Sequence, residues 1–215
     1  MATVLAHAAP PTEDSDDMDD TETKEDEIRR ELEERYGELS ALWPKERVEI
    51  IRDRIVVSPV PTWSHQMIIE ALLDLLLDVI RKRGWKRAQN ISLFLGAQRD
   101  RYKPDLIVVP SSDPPLWGRD HVYGDATVLV VEVVSESSVD DDHIVKPKTY
   151  AAAGVPLCMV IDCFAGTVRV LSKPNAQLER YELQHEVPIG KAIELPEPWE
   201  LTLETGKLTE SPTAS

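Results

Sequence analysis

Three charged residues sit where charge is costly. In "TVLVVEVVSES", Glu132 interrupts a run of valine and leucine that otherwise reads as a buried central strand. In "KPDLIVVP", Asp105 opens a second short apolar strand. Lys146 follows in "DDDHIVKPKTYAAAG", one helix entry after Glu132. A lone carboxylate in a dry interior is strongly disfavoured, so Glu132 needs a partner or a proton. Side chains alternate along a strand. Glu132 therefore shares a face with Val128, Val130 and Val134, and Asp105 shares one with Ile107 and Val109. If these strands are sheet neighbours, the two carboxylates converge. Carboxylates held close repel unless one is protonated or a cation lies between them. A hard divalent ion, Mg2+ or Mn2+, suits such a donor pair, with water and the Val133 carbonyl as further oxygens. A lysine beside such a site can orient an attacking water and offset charge developing on a phosphate.

Each residue also has a plainer reading. Asp105 can cap a turn after Pro104, Glu132 can pair with an arginine, and Lys146 can be an exposed helix lysine. Glu49, in "RVEII", is a candidate third carboxylate or one half of an ordinary salt bridge. His65 is a candidate site residue or a helix-start histidine. Gln98, just upstream of "YKPD", is a candidate lining residue. Neither a Walker-type phosphate loop nor a Ser–His–Asp signature is present.

The elements that must position these groups can be read from periodicity. "EDEIRRELEERYGEL" predicts a helix supported by Glu–Arg pairs. "RVEIIRDRIVVSPVP" predicts two strands joined tightly at Arg52–Asp53–Arg54. "SHQMIIEALLDLLLDVIRKRG" predicts the clearest helix, capped by Ser64 and ended by Gly84. "WKRAQNISLFLG" predicts one strand, and residues 110–125 a long loop. "VDDDHIVKPKTYAAAGVP" predicts a helix ending at Gly154. Pro147 is comfortable only in a first helical turn, so that helix either begins near it or breaks there. "LCMVIDCF" and "GTVRVLS" predict a hairpin, continued antiparallel by "AQLERYELQ". This order of elements is that of an α/β (α+β) domain with a mixed sheet flanked by helices.

The chain of 215 residues suffices for one domain with tails. We expect an acidic disordered tail over 1–24, one domain over 25–203 and a flexible tail over 204–215. The formal net charge is −15, much of it between Glu13 and Glu27. Such an excess argues against a nucleic-acid partner, but basic residues gather locally in "RKRGWKR" and at Arg99, Arg101 and Lys103. Global charge therefore does not choose the partner. No apolar run is long enough for a membrane span, and the N-terminus lacks the basic region of a signal peptide. We expect a cytoplasmic protein. Cys158 and Cys163 lie on opposite faces of a strand or its end, which argues against a disulfide between them.

The ordered set "PD", "VVEVVSESS", "D…K…YAAAGVP" resembles the Uma-type restriction endonucleases of the PD-(D/E)xK nuclease superfamily. The matching residues are Asp105, Glu132, Ser135, Asp142, Lys146, Tyr150 and Ala153–Gly154–Val155–Pro156, preceded by Glu49, "SPVP" and His65. The resemblance covers roughly residues 45–172. It implies a restriction-endonuclease-like fold and Mg2+-dependent DNA hydrolysis, with Asp105 and Glu132 on the metal and Lys146 at the water. A homodimer would let two sites cut two strands. In the superfamily's common motif the lysine lies two residues past the acid, a position held here by Val134. The resemblance moves it to Lys146, whose reach depends on Pro147. The rival readings are a catalytically silent nuclease-fold module acting through protein contacts, and a hydrolase of RNA or small phosphoesters.

Overall fold

The computed structural model describes residues 23–96, 99–110, 113–136 and 138–209. The acidic stretch before Thr23 and Gln98 lie outside the described residues, as does the end of the chain from 210. The first helix, α1 (Lys24–Leu42), starts at a reciprocal cap between Thr23 and Asp26. Strands β1 (Arg47–Ile51) and β2 (Arg54–Ser58) form the expected hairpin, with Arg52 and Asp53 both at positive φ. The tight two-residue turn matches the twist of the paired strands.

Helix α2 (Trp63–Arg83) begins two residues earlier than the sequence suggests. Its cap is Thr62, whose hydroxyl accepts from the His65 N–H at 3.3 Å, and not Ser64. Pro61 ahead of Thr62 keeps the chain extended up to that point. Thr62→Ala is expected to cost about 1 kcal/mol of stability, read as a lower urea midpoint at unchanged slope. Gly84, at φ 70°, ends the helix as expected.

The segment read as one strand over 85–96 is two: β3 (Lys86–Ala88) and β4 (Ser92–Leu95). Asn90 between them takes φ 57°, a left-handed turn that sends the halves to different sheets. Next come β5 (Asp100–Tyr102) and β6 (Leu106–Val109). Within the long loop lies a small hairpin of β7 (Leu116–Trp117) and β8 (His121–Tyr123), followed by β9 (Leu129–Val133). A π-helical turn, Asp141–Val145, runs into α3 (Lys146–Ala152). Strands β10 (Leu157–Asp162), β11 (Thr167–Asn175) and β12 (Arg180–Pro188) form the expected meander. A last hairpin joins β13 (Ala192–Leu195) to β14 (Leu201–Glu204).

The strands make two six-stranded sheets where the sequence suggests one mixed sheet. Their orders are β2-β1-β5-β4-β8-β7 and β12-β11-β10-β9-β6-β3. Among the described residues, only β4–β8 and β9–β10 pair in parallel. Strand β9 is central and covered on both faces. Val131 and Val133 pack with α2 residues such as Leu72 and Leu76, while Val130 and Val134 pack with Leu93, Tyr102 and Tyr150. That double burial is why the stretch reads as unbroken valine.

The expected tail from 204 is in part built into the fold. The Thr205 hydroxyl donates to the Lys191 carbonyl at 2.7 Å and accepts from the Gly190 N–H at 2.9 Å. Leu208, fully buried, packs into the α2 core. One leucine among polar neighbours gives no periodic signal, so this anchor escapes pattern reading. No helix among the described residues is long and apolar enough to cross a membrane.

Candidate active site

Strands β6 and β9 are antiparallel neighbours with Leu106 opposite Val131. One step further, Asp105 stands opposite Glu132, and the Asp105 N–H donates to the Val131 carbonyl at 3.1 Å. Directly opposed side chains of this kind have Cβ atoms about 5 Å apart. Both are buried and project toward the core between the two sheets. The register thus sets Asp105 and Glu132 side by side on one face of adjacent strands.

Each carboxylate is held by several donors. Asp105 Oδ2 accepts from the Val133 N–H at 2.7 Å. Its Oδ1 accepts from Arg47 on β1 and lies 3.1 Å from His65 Nε2, in the first turn of α2. Burial pushes the Asp105 pKa up, but His65 and the Arg47 charge outweigh it and hold the carboxyl well below 3.8. Glu132 Oε1 accepts from the Tyr150 hydroxyl, and Oε2 from Lys146 Nζ at 3.1 Å. Its environment has the opposite effect. Burial pushes it up to about 8; Lys146 opposes this, while Asp142 and Asp105 add to it. Burial also lifts the Tyr150 hydroxyl well above 10.0, so it remains a donor.

Lys146 is buried, with Nζ 2.8 Å from Asp142 Oδ1 as well. Burial works against its charge, but Glu132, Glu49 and Asp142 outweigh it and raise its pKa well above 10.5. The question about Pro147 resolves in favour of an interrupted helix: the chain is helical from Val139, widens into the π-helical turn over Asp141–Val145 and continues as α3, with Pro147 its second residue. Pro147 has no N–H for the His143 carbonyl four residues back. That carbonyl accepts instead from Arg169 at 2.8 Å. The wide turn before α3 leaves Asp142, Lys146 and Tyr150 on the side facing Glu132.

Glu49 is buried too, its Oε1 accepting from the Lys103 N–H at 2.7 Å, and it borders the same cleft. That cleft, of about 600 Å³, is lined by Arg47, Glu49, His65, Asp142 and Lys146, with Asp105 and Glu132 behind them. The "RKRGWKR" cluster lies elsewhere. Arg81 is sixteen residues from His65 along α2, about 24 Å at 1.5 Å per residue. Arg83 pairs with Glu200 at 3.0 Å. Arg101 is buried against Phe94 and Trp117 and pairs with Glu33 at 3.2 Å.

Pattern reading overlooked Arg47. A signal existed, because Arg47 and Glu49 are two apart on one strand and so share a face. Tyr150 and Asp142, noted only as matches to a motif, lie four residues on either side of Lys146.

Among the described residues, no three His, Cys, Asp or Glu side chains gather as a metal-ligating cluster. The donor set still suits a hard cation that keeps most of its water. Asp105 and Glu132 offer carboxylate oxygens, and strand alternation turns the Val133 carbonyl to the same edge as its N–H. Four buried carboxylates, Glu49, Asp105, Glu132 and Asp142, gather around Arg47 and Lys146, with Lys103 beside Glu49. A bound divalent ion would favour the ionised form of Glu132.

Without added metal, this charge pattern predicts a pH dependence. Glu132 binds its proton more tightly folded than unfolded, so stability falls as pH rises from 4.5 to about 8. Urea midpoints measured in EDTA across this range are expected to decline, and Glu132→Gln is expected to flatten the decline. An equally steep decline in the variant would assign it to another group.

The sequence matches the family described as Uma2, "putative restriction endonuclease", over residues 34–204. The chain belongs to the Uma2 family. The match takes in every strand and all the site residues placed above. No curated protein matches significantly. Among solved structures, a crystal structure titled a putative nuclease belonging to DUF820 from Anabaena variabilis is similar, with a TM-score of 0.58 and 18% identity. The similarity covers 75% of this Uma2 chain and 88% of that one, and it shows a shared fold.

Proposed function

We propose that the chain is a metal-dependent endonuclease that hydrolyses phosphodiester bonds in DNA. The observation that carries this reading is the pairing of Asp105 with Glu132 on adjacent strands, with Lys146 Nζ 3.1 Å from Glu132. Asp105 and Glu132 would hold Mg2+ or Mn2+. Such an ion, when bound, polarises the phosphate and lowers the pKa of its water. Lys146, a permanent cation at the cleft, positions the attacking water and offsets charge on the phosphoryl oxygens. Arg47 and His65, on the same cleft wall, supply further donors to a phosphate. Tyr150 fixes the orientation of Glu132, and Asp142 fixes that of Lys146.

Cleavage of supercoiled plasmid and of single-stranded DNA is expected with Mg2+ or Mn2+ and none with EDTA. Cleavage that persists in EDTA would remove the metal from this reading. The silent-module reading has one observation in its favour: every oxygen of Asp105 and Glu132 already has a donor or a cation beside it. Titration with Mn2+ separates the two, since a silent module would take up no ion that Glu132→Gln abolishes.

A further inference from the structure

Strand β12 is the outermost strand of its sheet and, among the described residues, pairs with β11 alone. It spans nine residues, whereas the other outer strands of the two six-stranded sheets, β2, β3 and β7, span five, three and two. A long open edge offers a row of unpaired N–H and C=O groups to another strand, and folds commonly blunt it with lysine, a bulge or a cover. Strand β12 has none of these devices at its middle. It contains no lysine, and no residue within it takes a left-handed conformation. Every residue from Glu182 to Glu186 is exposed, so neither face of the strand is closed off there. Leu183, at the centre, is 49% exposed.

The hairpin fixes which backbone groups face that edge. At its two ends the Ile189 N–H donates to the Gly166 carbonyl at 2.8 Å and the Glu179 N–H to the Ala176 carbonyl at 3.4 Å. Hydrogen-bonded positions alternate along an antiparallel strand. Odd-numbered residues of β12 therefore bond to β11, while Arg180, Glu182, Gln184 and Glu186 turn their N–H and C=O groups outward. Pro188 closes the row, having no N–H. A second copy paired antiparallel about a twofold axis must match even residues with even. Centring on Glu182 sets that residue against itself, and centring on Tyr181 pairs only Arg180 to Glu182. Centring on Gln184 or His185 sets Pro188 opposite an outward residue and forfeits a bond. Centring on Leu183 does neither. It sets Arg180 opposite Glu186 at both ends, Glu182 opposite Gln184, and Leu183 against its own copy. Opposite charges across a strand pair stabilise it and like charges oppose it. We propose that the chain forms a homodimer by antiparallel pairing of β12 with β12 of a second copy, in the register centred on Leu183.

The test needs neither metal nor DNA, so it stands apart from the nuclease reading. Sedimentation velocity of the full chain across the micromolar range is expected to show a monomer–dimer equilibrium, since a paired strand edge lies at the small end of protein interfaces. Arg180→Glu and Glu186→Arg are each expected to weaken the dimer about tenfold, because each change acts at both symmetric pairs. Combining the two exchanges the charges and is expected to restore the dimer, a rescue that misfolding cannot imitate. Mild oxidation is expected to link Leu183→Cys into covalent dimers, because the central pair is a non-hydrogen-bonded one with Cα atoms about 4.5 Å apart, within disulfide reach. Position 184 faces position 182 of the other copy, so Gln184→Cys is expected to link far more slowly. Wild type, which carries Cys158 and Cys163, is the control for the native thiols, and melting temperatures check that each variant folds. A monomer at every concentration would overturn the proposal and leave the edge to a strand of a different protein. A dimer indifferent to the charge changes, or Gln184→Cys linking as fast as Leu183→Cys, would also overturn it by placing the contact elsewhere.

Discussion

Glu132→Gln is expected to lower Mg2+-dependent cleavage by about 10²- to 10³-fold, the size of effect seen when one electrostatic contact to a transition state is lost. The fold is expected to survive. The amide is isosteric and still offers an oxygen to the Tyr150 hydroxyl, while Lys146 keeps Asp142 2.8 Å away. The change also removes one negative charge from a site rich in buried carboxylates. In EDTA at pH 8 the variant should therefore be at least as stable as wild type, because Glu132 ionises in the fold only at about 8. Activity and stability thus move in opposite directions, as expected where a site stores unfavourable charge for function. Single-turnover cleavage and urea unfolding of the same preparation check both halves. A variant that cleaves like wild type would remove Glu132 from the reaction.

Lys146→Met is expected to be the more damaging change to the fold. Lys146 is 3% exposed and is the near neighbour of both Glu132 and Asp142. Without it, two buried carboxylates lose their counter-charge, a loss that costs about 3–5 kcal/mol in comparable buried pairs. That is a large share of the stability of an ordinary domain, about 5–15 kcal/mol. The penalty should depend on pH through the carboxylates and not through the lysine. The Lys146 pKa is raised above 10.5, so its contribution is fully present below that value and is lost only at still higher pH. Glu132 is protonated at pH 6 and largely ionised at pH 9. The gap between wild type and variant is therefore expected to widen from pH 6 to pH 9 in urea unfolding. A gap of the same size at both would mean that lost packing, not lost charge, is the cause.

Much of the site was legible because strand periodicity records which face a residue takes. The valine run around Glu132 and the apolar stretch after Asp105 placed both acids on buried faces, and the structure pairs those faces in register. The hairpin at Arg52–Asp53, the end of α2 at Gly84 and the β10–β12 meander were legible from turn residues and alternation. Local chemistry was less reliable where two candidates competed. Ser64 and Thr62 are both good caps, and the geometry after Pro61 chose Thr62. Asn90 reads as an ordinary polar residue within a strand until its left-handed conformation divides that strand between two sheets.

By itself, the sequence determined the charge types at the site, the strands that carry Asp105 and Glu132, and the helix that carries Lys146. These follow from short-range preferences and from the cost of placing charge among valines. Only the tertiary structure decided the partners. Arg47 reaches Asp105 across 58 positions of chain, His65 across 40, and Tyr150 closes on Glu132 from a helix interrupted by a π-helical turn just ahead of a proline. Periodicity states that a face is buried but not what it is buried against. The opposite shifts of the two acids, Asp105 down and Glu132 up, come from those distant neighbours and appear only once the two sheets have closed around them.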